Sequence, residues 1–237
     1  MKTNGFYFLK KNWEGNISIY QYMDLDYLFC LLETKMYYVN RKCHFEDKEE
    51  VALPLNSLFG FGLPEKTDIS KEIVNEKSEE ISSKIEQYRE SAYWLTSCWT
   101  KNQRESLLMW KYYTTKCGAR IKSSIHNVIA SIGIDTYNIV CGNIAYNGYY
   151  AKPFEECLFS KEPAYTDEQE VRFYFIPKVF STDKSTAGIQ IPVSPSVMID
   201  EITLSPYMQR SATKKIADFI MNVYNIKNVH SSSIKIS

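Results

Sequence analysis

The chain has 237 residues, of which 44% are hydrophobic and 24% are charged, and its formal net charge at pH 7 is zero. This balance is typical of a globular protein, and the neutral charge gives no indication of nucleic acid or an anionic membrane as a partner. No apolar run approaches the roughly 18 residues that span a bilayer, and the N-terminus lacks the pattern of a signal peptide.

Hydrophobic periodicity predicts a mixture of strands and helices without a regular strand–helix–strand repeat. In chain order, strands are predicted at 17–22, 36–40, 91–100, 118–124, 137–146, 166–175, 188–193 and 201–206. Helices are predicted at 24–35, 66–90, 104–113, 125–133 and 211–224. The order favours one α+β domain over 1–237, with mainly antiparallel strands and flanking helices. The segment 41–90, a loop followed by an amphipathic surface helix, is interpreted as an insertion-like segment.

The helix predicted at 211–224 has the periodicity of an amphipathic surface helix. Its large apolar residues recur near helical spacing, which predicts a face that packs on the protein core. The residues assigned to that inward face are Ile216, Phe219, Ile220 and Val223.

The cysteines and the motif content exclude several common site types. The six cysteines form no CxxC pair, so we expect reduced thiols, a cytoplasmic protein and no metal site. The chain contains no GxGxxG, GxxxxGK[ST], HExxH or GxSxG motif. A nucleotide-binding Rossmann sheet, a P-loop, a zinc protease and a serine hydrolase elbow are therefore not indicated.

The stretch TDEQEVRFYF at 166–175 alternates between an apolar and a polar side. One side carries Val171, Phe173 and Phe175, and the other carries Glu168, Glu170, Arg172 and Tyr174. The polar side has two interpretations from the residues alone: a solvated, salt-bridged face, or the floor of an active-site cleft.

An ordered set of short motifs resembles a bacterial family, domain of unknown function 2971. The motifs are YQYM, SCWT, MWKYYTTKCGARIKSS, EQEVRF and ITLSPYM, and together they extend from about 17 to 224. Their order also resembles, more remotely, that of the ADP-ribosyltransferase superfamily. That resemblance implies a split, mainly antiparallel sheet with NAD bound as a substrate in its cleft.

The resemblance to ADP-ribosyltransferases also implies roles for individual residues. Glu170 is expected beneath the ribose as the catalytic carboxylate, with Glu168 positioning or deprotonating the acceptor. Two carboxylates this close are expected to raise one of their pKa values. The residues implied in binding NAD are Tyr20, Gln21, Tyr22, Ser97, Trp99, Trp110, Tyr113, Arg120 and Arg172, and Thr100 also flanks the second motif strand.

Gln21 sets a condition on the binding of NAD, and Trp110 has a second interpretation. Gln21 lies where relatives have His, Lys or Arg, and an amide cannot pair with phosphate as a guanidinium does. Either Arg120 or Arg172 must then supply the positive charge for NAD, or the NAD interpretation is wrong. The pattern around Trp110 also suits a buried helix face.

Three functions remain open at this point. The first is an ADP-ribosyltransferase-like or NAD-hydrolysing enzyme that acts as a bacterial effector, as in a toxin or antiphage defence, on an unknown macromolecular acceptor. The second is a non-catalytic module that binds a nucleotide or a protein on the same fold. The third is a metal-dependent nuclease or hydrolase that uses Glu168 and Glu170.

Overall fold

The computed structural model of the chain describes residues 6–8 (as backbone), 17–41, 94–132, 137–147, 158–177 and 186–236. Most of the segment 41–90 lies outside these residues, so its loop and helix stay predictions. Within the described ranges, no helix is both long and apolar enough to cross a membrane.

Strands and helices are mixed along the described chain, as the periodicity predicts. The strands are β1 (Phe6–Phe8), β2 (Ser18–Asp24), β3 (Met36–Arg41), β4 (Leu95–Thr100), β5 (Gly118–Ser124), β6 (Tyr137–Asn143), β7 (Ala145–Tyr146), β8 (Ser160–Lys161), β9 (Glu170–Pro177), β10 (Gly188–Pro192), β11 (Glu201–Leu204) and β12 (Val229–Ser231). The α-helices are α1 (Leu25–Thr34), α2 (Leu107–Tyr113), α3 (Ile125–Ser131), α4 (Pro195–Met198) and α5 (Arg210–Tyr224). A 3-10 helix, η1, spans Pro163–Glu168.

Ten of these strands form one sheet, in the order β1-β6-β9-β4-β2-β5-β11-β12, with β3 also pairing β4 and β10 pairing β3. The β1–β6 and β11–β12 pairs are parallel, and the other pairs in this sheet are antiparallel. The α+β prediction with a mainly antiparallel sheet is therefore confirmed.

The sheet divides along one edge of β4. On its other edge, β4 pairs with β9 along its whole length. On the dividing edge it pairs with β2 only at Thr100 and with β3 only at Leu95 and Thr96. The strands β2 and β3 therefore leave β4 at opposite ends, and a gap opens beside its middle residues.

Apolar side chains pack on both sides of this sheet. The larger cluster includes Trp99, Val171, Phe173 and Phe175, together with residues of the helices that cover that side. A smaller cluster on the opposite side contains Tyr174, with Leu158 and Phe159 from the segment before η1. Strand β9 is thus buried on both sides, which the alternation of apolar and polar residues did not predict.

Three predicted element boundaries need correction. The strand predicted at 166–175 begins only at Glu170, because residues 163–168 form η1 instead. The strand predicted at 137–146 is interrupted after Asn143. Helix α2 begins at Leu107 rather than at 104, because Ser106 accepts a hydrogen bond from the backbone N–H of Met109 and caps the helix there.

The predicted inward face of α5 is wrong in part. Ile220 is buried as expected, but Phe219 and Val223 are 48% and 55% exposed. The buried face instead runs through Thr213, Ala217 and Ile220. Ile216 is partly buried against the core, as predicted. Counting only large apolar residues missed Thr213 and Ala217 and added Phe219 and Val223.

Gly142 on β6 gives a test of the packing on the cleft side of the sheet. A β-carbon at this position would lie 2.6 Å from the ring of Phe159. We expect Gly142→Ala to lower the free energy of unfolding by about 1–3 kcal/mol, as overpacking of a filled site does. Urea denaturation measures this change. The control is Asn222→Ala on the exposed surface of α5, and a Gly142→Ala protein as stable as the parent would contradict the account.

Candidate functional site

A cleft lies at the division of the sheet and has a volume of about 540 Å³. It is bounded by β4, by the strands that leave it, and by the start of β9. Its lining comprises Tyr20, Gln21, Tyr22, Tyr38, Asn40, Thr96, Ser97, Cys98, Trp99, Thr100, Met109, Tyr113, Lys161, Tyr165, Glu168, Glu170 and Arg172. The polar side of TDEQEVRFYF therefore contributes to a cleft.

The first residues of β9 form a buried ion pair in this cleft. Glu170 is 4% exposed and Arg172 is 1% exposed. The Nε and Nη2 of Arg172 donate to the two carboxylate oxygens of Glu170 at 2.6 and 3.0 Å. This two-pronged contact satisfies both charges, as burial of an ion pair requires. The interpretation of this strand as a solvated, salt-bridged face is therefore wrong.

The surroundings of Glu170 keep its carboxylate ionised. Burial raises the pKa of Glu170, but the charge and hydrogen bonds of Arg172, then the charge of Lys161 and a hydrogen bond from Cys98, outweigh it. The net result is a pKa below the ordinary value for Glu. The expectation that neighbouring carboxylates raise a pKa is therefore wrong for Glu170, because Arg172 and Lys161 lie close to its carboxylate.

Glu168 faces the same cleft, although it is not part of β9. Its Oε2 accepts a hydrogen bond from Lys161 at 2.8 Å, and its Oε1 accepts one from Tyr113 at 2.7 Å. Gln169 lies between the two glutamates with φ of 44°, in the left-handed region. This turn, rather than strand alternation, brings Glu168 and Glu170 to one place.

Gln21 and Ser97 belong to a polar network beside the gap. The Gln21 amide donates to Ser97 Oγ at 3.3 Å and to the Cys98 carbonyl at 3.2 Å, and its oxygen accepts from Tyr37 at 2.7 Å. Ser97 Oγ also accepts from the Trp99 indole at 2.8 Å. Gln21 thus satisfies a carbonyl of β4 beside the gap. Gln21 and Ser97 line the cleft, with these polar groups engaged within the protein.

The five aromatic residues implied in binding have different positions. Tyr20, Tyr22, Trp99 and Tyr113 line the cleft, and Tyr113 is 47% exposed. Trp110 is fully buried, packs edge-on against Tyr22, and donates its indole N–H to Glu105. The assignment of Trp110 to the binding surface is therefore wrong, and the buried helix face that its surroundings suggested is observed.

Arg120 lies behind the cleft wall. Its guanidinium is 3.7 Å from the ring centre of Tyr20, and its Nη2 donates to the carbonyls of Asn102 and Gln103. It does not line the cleft. Arg172 lines the cleft but is bound to Glu170. Neither arginine thus meets the condition set by Gln21, which counts against the binding of NAD in this cleft.

The cleft residues missed from the sequence are Tyr38, Asn40, Thr96, Cys98, Met109, Lys161 and Tyr165. Cys98 and Lys161 are the two of these that lower the pKa of Glu170. Cys98 lies on β4 opposite Arg172 and alternates along the strand with Thr96 and Thr100. This alternation could have placed its side chain on the cleft side of the sheet. Lys161 gives no such signal, because a single lysine before an irregular segment has no periodic partner. No group of three or more His, Cys, Asp or Glu side chains within the described residues is arranged to hold a metal ion.

Comparisons with known proteins give one distant structural similarity. No protein-family model and no curated protein match the chain, so membership of domain of unknown function 2971 stays a prediction. The chain is similar to the solved structure of Thermus sp. 2.9 DarT in complex with ADP-ribosylated ssDNA. The sequence identity is 10% and the TM-score is 0.41, over 96% of this chain and 98% of that chain.

The lowered pKa of Glu170 predicts a specific dependence of stability on pH. The folded pKa lies below the ordinary value of 4.5, so the unfolded chain binds the proton more readily. The contribution of Glu170 to stability is therefore complete above that value and is lost as the pH falls toward the folded pKa. Below pH 4.5, we expect stability to fall less steeply in Glu170→Gln than in the parent, by up to about 1.4 kcal/mol per pH unit.

Urea denaturation at a series of pH values measures this difference in slope. Asp218→Asn is the control, because it removes an exposed carboxylate from α5 and keeps the buried pair. Equal slopes for the parent and Glu170→Gln would contradict the assigned ionisation of Glu170.

Proposed function

We propose that the chain cleaves the bond between nicotinamide and ribose in NAD, as an ADP-ribosyltransferase-like or NAD-hydrolysing enzyme. The observation that carries the proposal is the Glu170 carboxylate, which is buried, ionised and placed in a cleft with aromatic walls. The motif order of the chain supports the same chemistry. Glu170 is the proposed catalytic residue, and Glu168 is proposed to orient the group that attacks the ribose.

An ionised carboxylate suits this reaction for a chemical reason. Nicotinamide in NAD is a pyridinium, so the C1′–N bond breaks with its electron pair going to nitrogen, and nicotinamide leaves neutral without a proton donor. Positive charge then develops on the ribose, where a carboxylate stabilises it. Water or an acceptor forms the new bond to C1′ and loses a proton. Ordinary glycoside hydrolysis instead requires a protonated acid. The lowered pKa of Glu170 keeps this carboxylate deprotonated.

Glu170 lines the cleft, where its Oε2 lies 3.6 Å from Lys161 Nζ. A ribose hydroxyl is proposed to contact the carboxylate from the cleft. Tyr20, Tyr22 and Tyr113 provide aromatic surface on the wall beside it, and aromatic side chains are common in pockets that bind ring-shaped ligands.

One observation bears on the second candidate, a non-catalytic module that binds a nucleotide or a protein, and it favours a protein over a nucleotide as the ligand. The two cations that line the cleft in the described chain, Lys161 and Arg172, are both paired with its glutamates. A diphosphate would have to compete with those carboxylates for them. A ligand with little negative charge would bind at lower cost.

The third candidate, a metal-dependent nuclease or hydrolase, has less support. A divalent cation would need the carboxylates of Glu168 and Glu170 as ligands, but these carboxylates already pair with Lys161 and Arg172. An effector role in a toxin or in antiphage defence remains part of the first proposal. Adding cell lysate tests whether a macromolecular acceptor is used.

Glu170→Gln tests the proposed function directly. The amide keeps the shape of the side chain but cannot offset the positive charge of the ribose, so we expect nicotinamide release from NAD to fall about 10²- to 10³-fold. Release is followed by chromatography with purified protein, with and without lysate as a source of acceptors. The matched control is Glu162→Gln, a neighbouring glutamate that does not line the cleft.

The outcomes separate the three candidates. Release by the parent and by Glu162→Gln, with loss in a Glu170→Gln protein whose circular dichroism matches that of the parent, supports the enzyme. NAD that binds by calorimetry but is not cleaved supports the binding module. Activity on nucleic acid that is removed by chelation and indifferent to NAD supports the third candidate.

A further inference from the structure

Lys161 lies between the two carboxylates of the cleft. Its Nζ is 2.8 Å from Glu168 Oε2 and 3.6 Å from Glu170 Oε2, and its side chain is 9% exposed. The ammonium also lies 4.4 Å from the ring centre of Tyr165. A long, flexible side chain is thus held in one position by two carboxylates and an aromatic ring.

The backbone that carries Lys161 is fixed to the strands of the site. Strand β8 pairs with β7, which places Lys161 beside Tyr146. The hydroxyl of Tyr146 in turn accepts a hydrogen bond from the backbone N–H of Glu170 at 2.6 Å. Phe159, two residues before Lys161, packs against Gly142 of β6, where a larger residue would not fit. Lys161 and Glu170 are therefore positioned by the same small group of elements.

The charges explain why a cation is needed at this point. Two carboxylates that share one cleft repel each other when both are ionised, and that repulsion favours protonation of one of them. Arg172 offsets the charge of Glu170 from within β9. Lys161 contacts both carboxylates, so it offsets the repulsion between them and sets their relative position.

We propose that Lys161 is a positioning residue of the cleft, which holds Glu168 and Glu170 side by side so that Glu170 faces the ribose. This inference rests on the proposed function for its catalytic consequence. Its geometric part, the control of Glu170 by Lys161, is independent of any turnover.

The alternative is a salt bridge to Glu168 that only stabilises the fold and does not act on Glu170, and the titration of Glu170 separates the two roles. Titratable or charged groups face Glu170 from several neighbouring elements, and none of these residues is itself altered by a substitution at Lys161. These groups are Cys98 from β4, Tyr113 from α2, Tyr146 from β7, Glu168 from η1, and Arg172 and Tyr174 within β9.

The experiment compares the parent with Lys161→Met, Lys161→Arg and, as a control, Lys214→Met on the exposed surface of α5. Carboxyl NMR with carbon-13-labelled glutamate follows the titration of Glu170, assigned from the signal that Glu170→Gln removes. We expect Lys161→Met to move this titration to higher pH. Nicotinamide release should fall about 10- to 100-fold, the loss expected for a small misplacement of Glu170. The acidic limb of the pH profile of nicotinamide release should also move to higher pH. Lys161→Arg should restore most of the nicotinamide release and return the titration of Glu170 most of the way to its pH in the parent.

The results distinguish failure of this inference from failure of the proposed function. A titration of Glu170 that is unchanged in Lys161→Met would overturn the positioning role, even if the melting temperature fell. A parent protein that releases no nicotinamide, while Lys161→Met still moves the titration, would refute the proposed function and keep the positioning of Glu170 by Lys161.

Discussion

The cleft depends on one buried ion pair. Moving a carboxylate and a guanidinium out of water costs several kcal/mol for each charge, and the pair is tolerated because Arg172 binds both oxygens of Glu170. Both members belong to β9, so the pair fixes the side chains of its first residues at the cleft, and the charge of Arg172 keeps Glu170 ionised. Lys161, Glu168 and Cys98 then have a defined partner around which to assemble. Loss of either member would leave an uncompensated charge inside the protein.

The division of the sheet gives this pair access to a ligand. A continuous sheet would cover the middle of β4 with another strand, but β2 and β3 leave it at opposite ends. Unpaired backbone groups at such a gap are costly, and the Gln21 amide offsets part of that cost by donating to the Cys98 carbonyl. The residue that departs from the ADP-ribosyltransferase pattern thus has a structural role at the gap.

Much of the fold could be predicted from the sequence, because strands and helices were recognised from local periodicity. The side of β9 that carries Glu170 and Arg172 was also identified correctly. Its burial was not, because local alternation cannot show that the segment carrying Leu158 and Phe159 covers it. Lys161 was missed for the same reason: its contact with Glu170 is made by folding and leaves no pattern in the chain. Arg120 and Trp110 were placed in the cleft because motif order gives the strand or helix of a residue but not the layer that its side chain occupies.

The central claim is that Glu170 lies beneath the ribose of bound NAD, and a crystal structure of Glu170→Gln with NAD tests it most directly. The amide removes the charge that drives cleavage, so intact NAD can be trapped. The account predicts the nicotinamide–ribose bond in the cleft beside β4, with the ribose in contact with residue 170. NAD bound elsewhere on the protein, or a cleft that stays empty at saturating NAD, would contradict it.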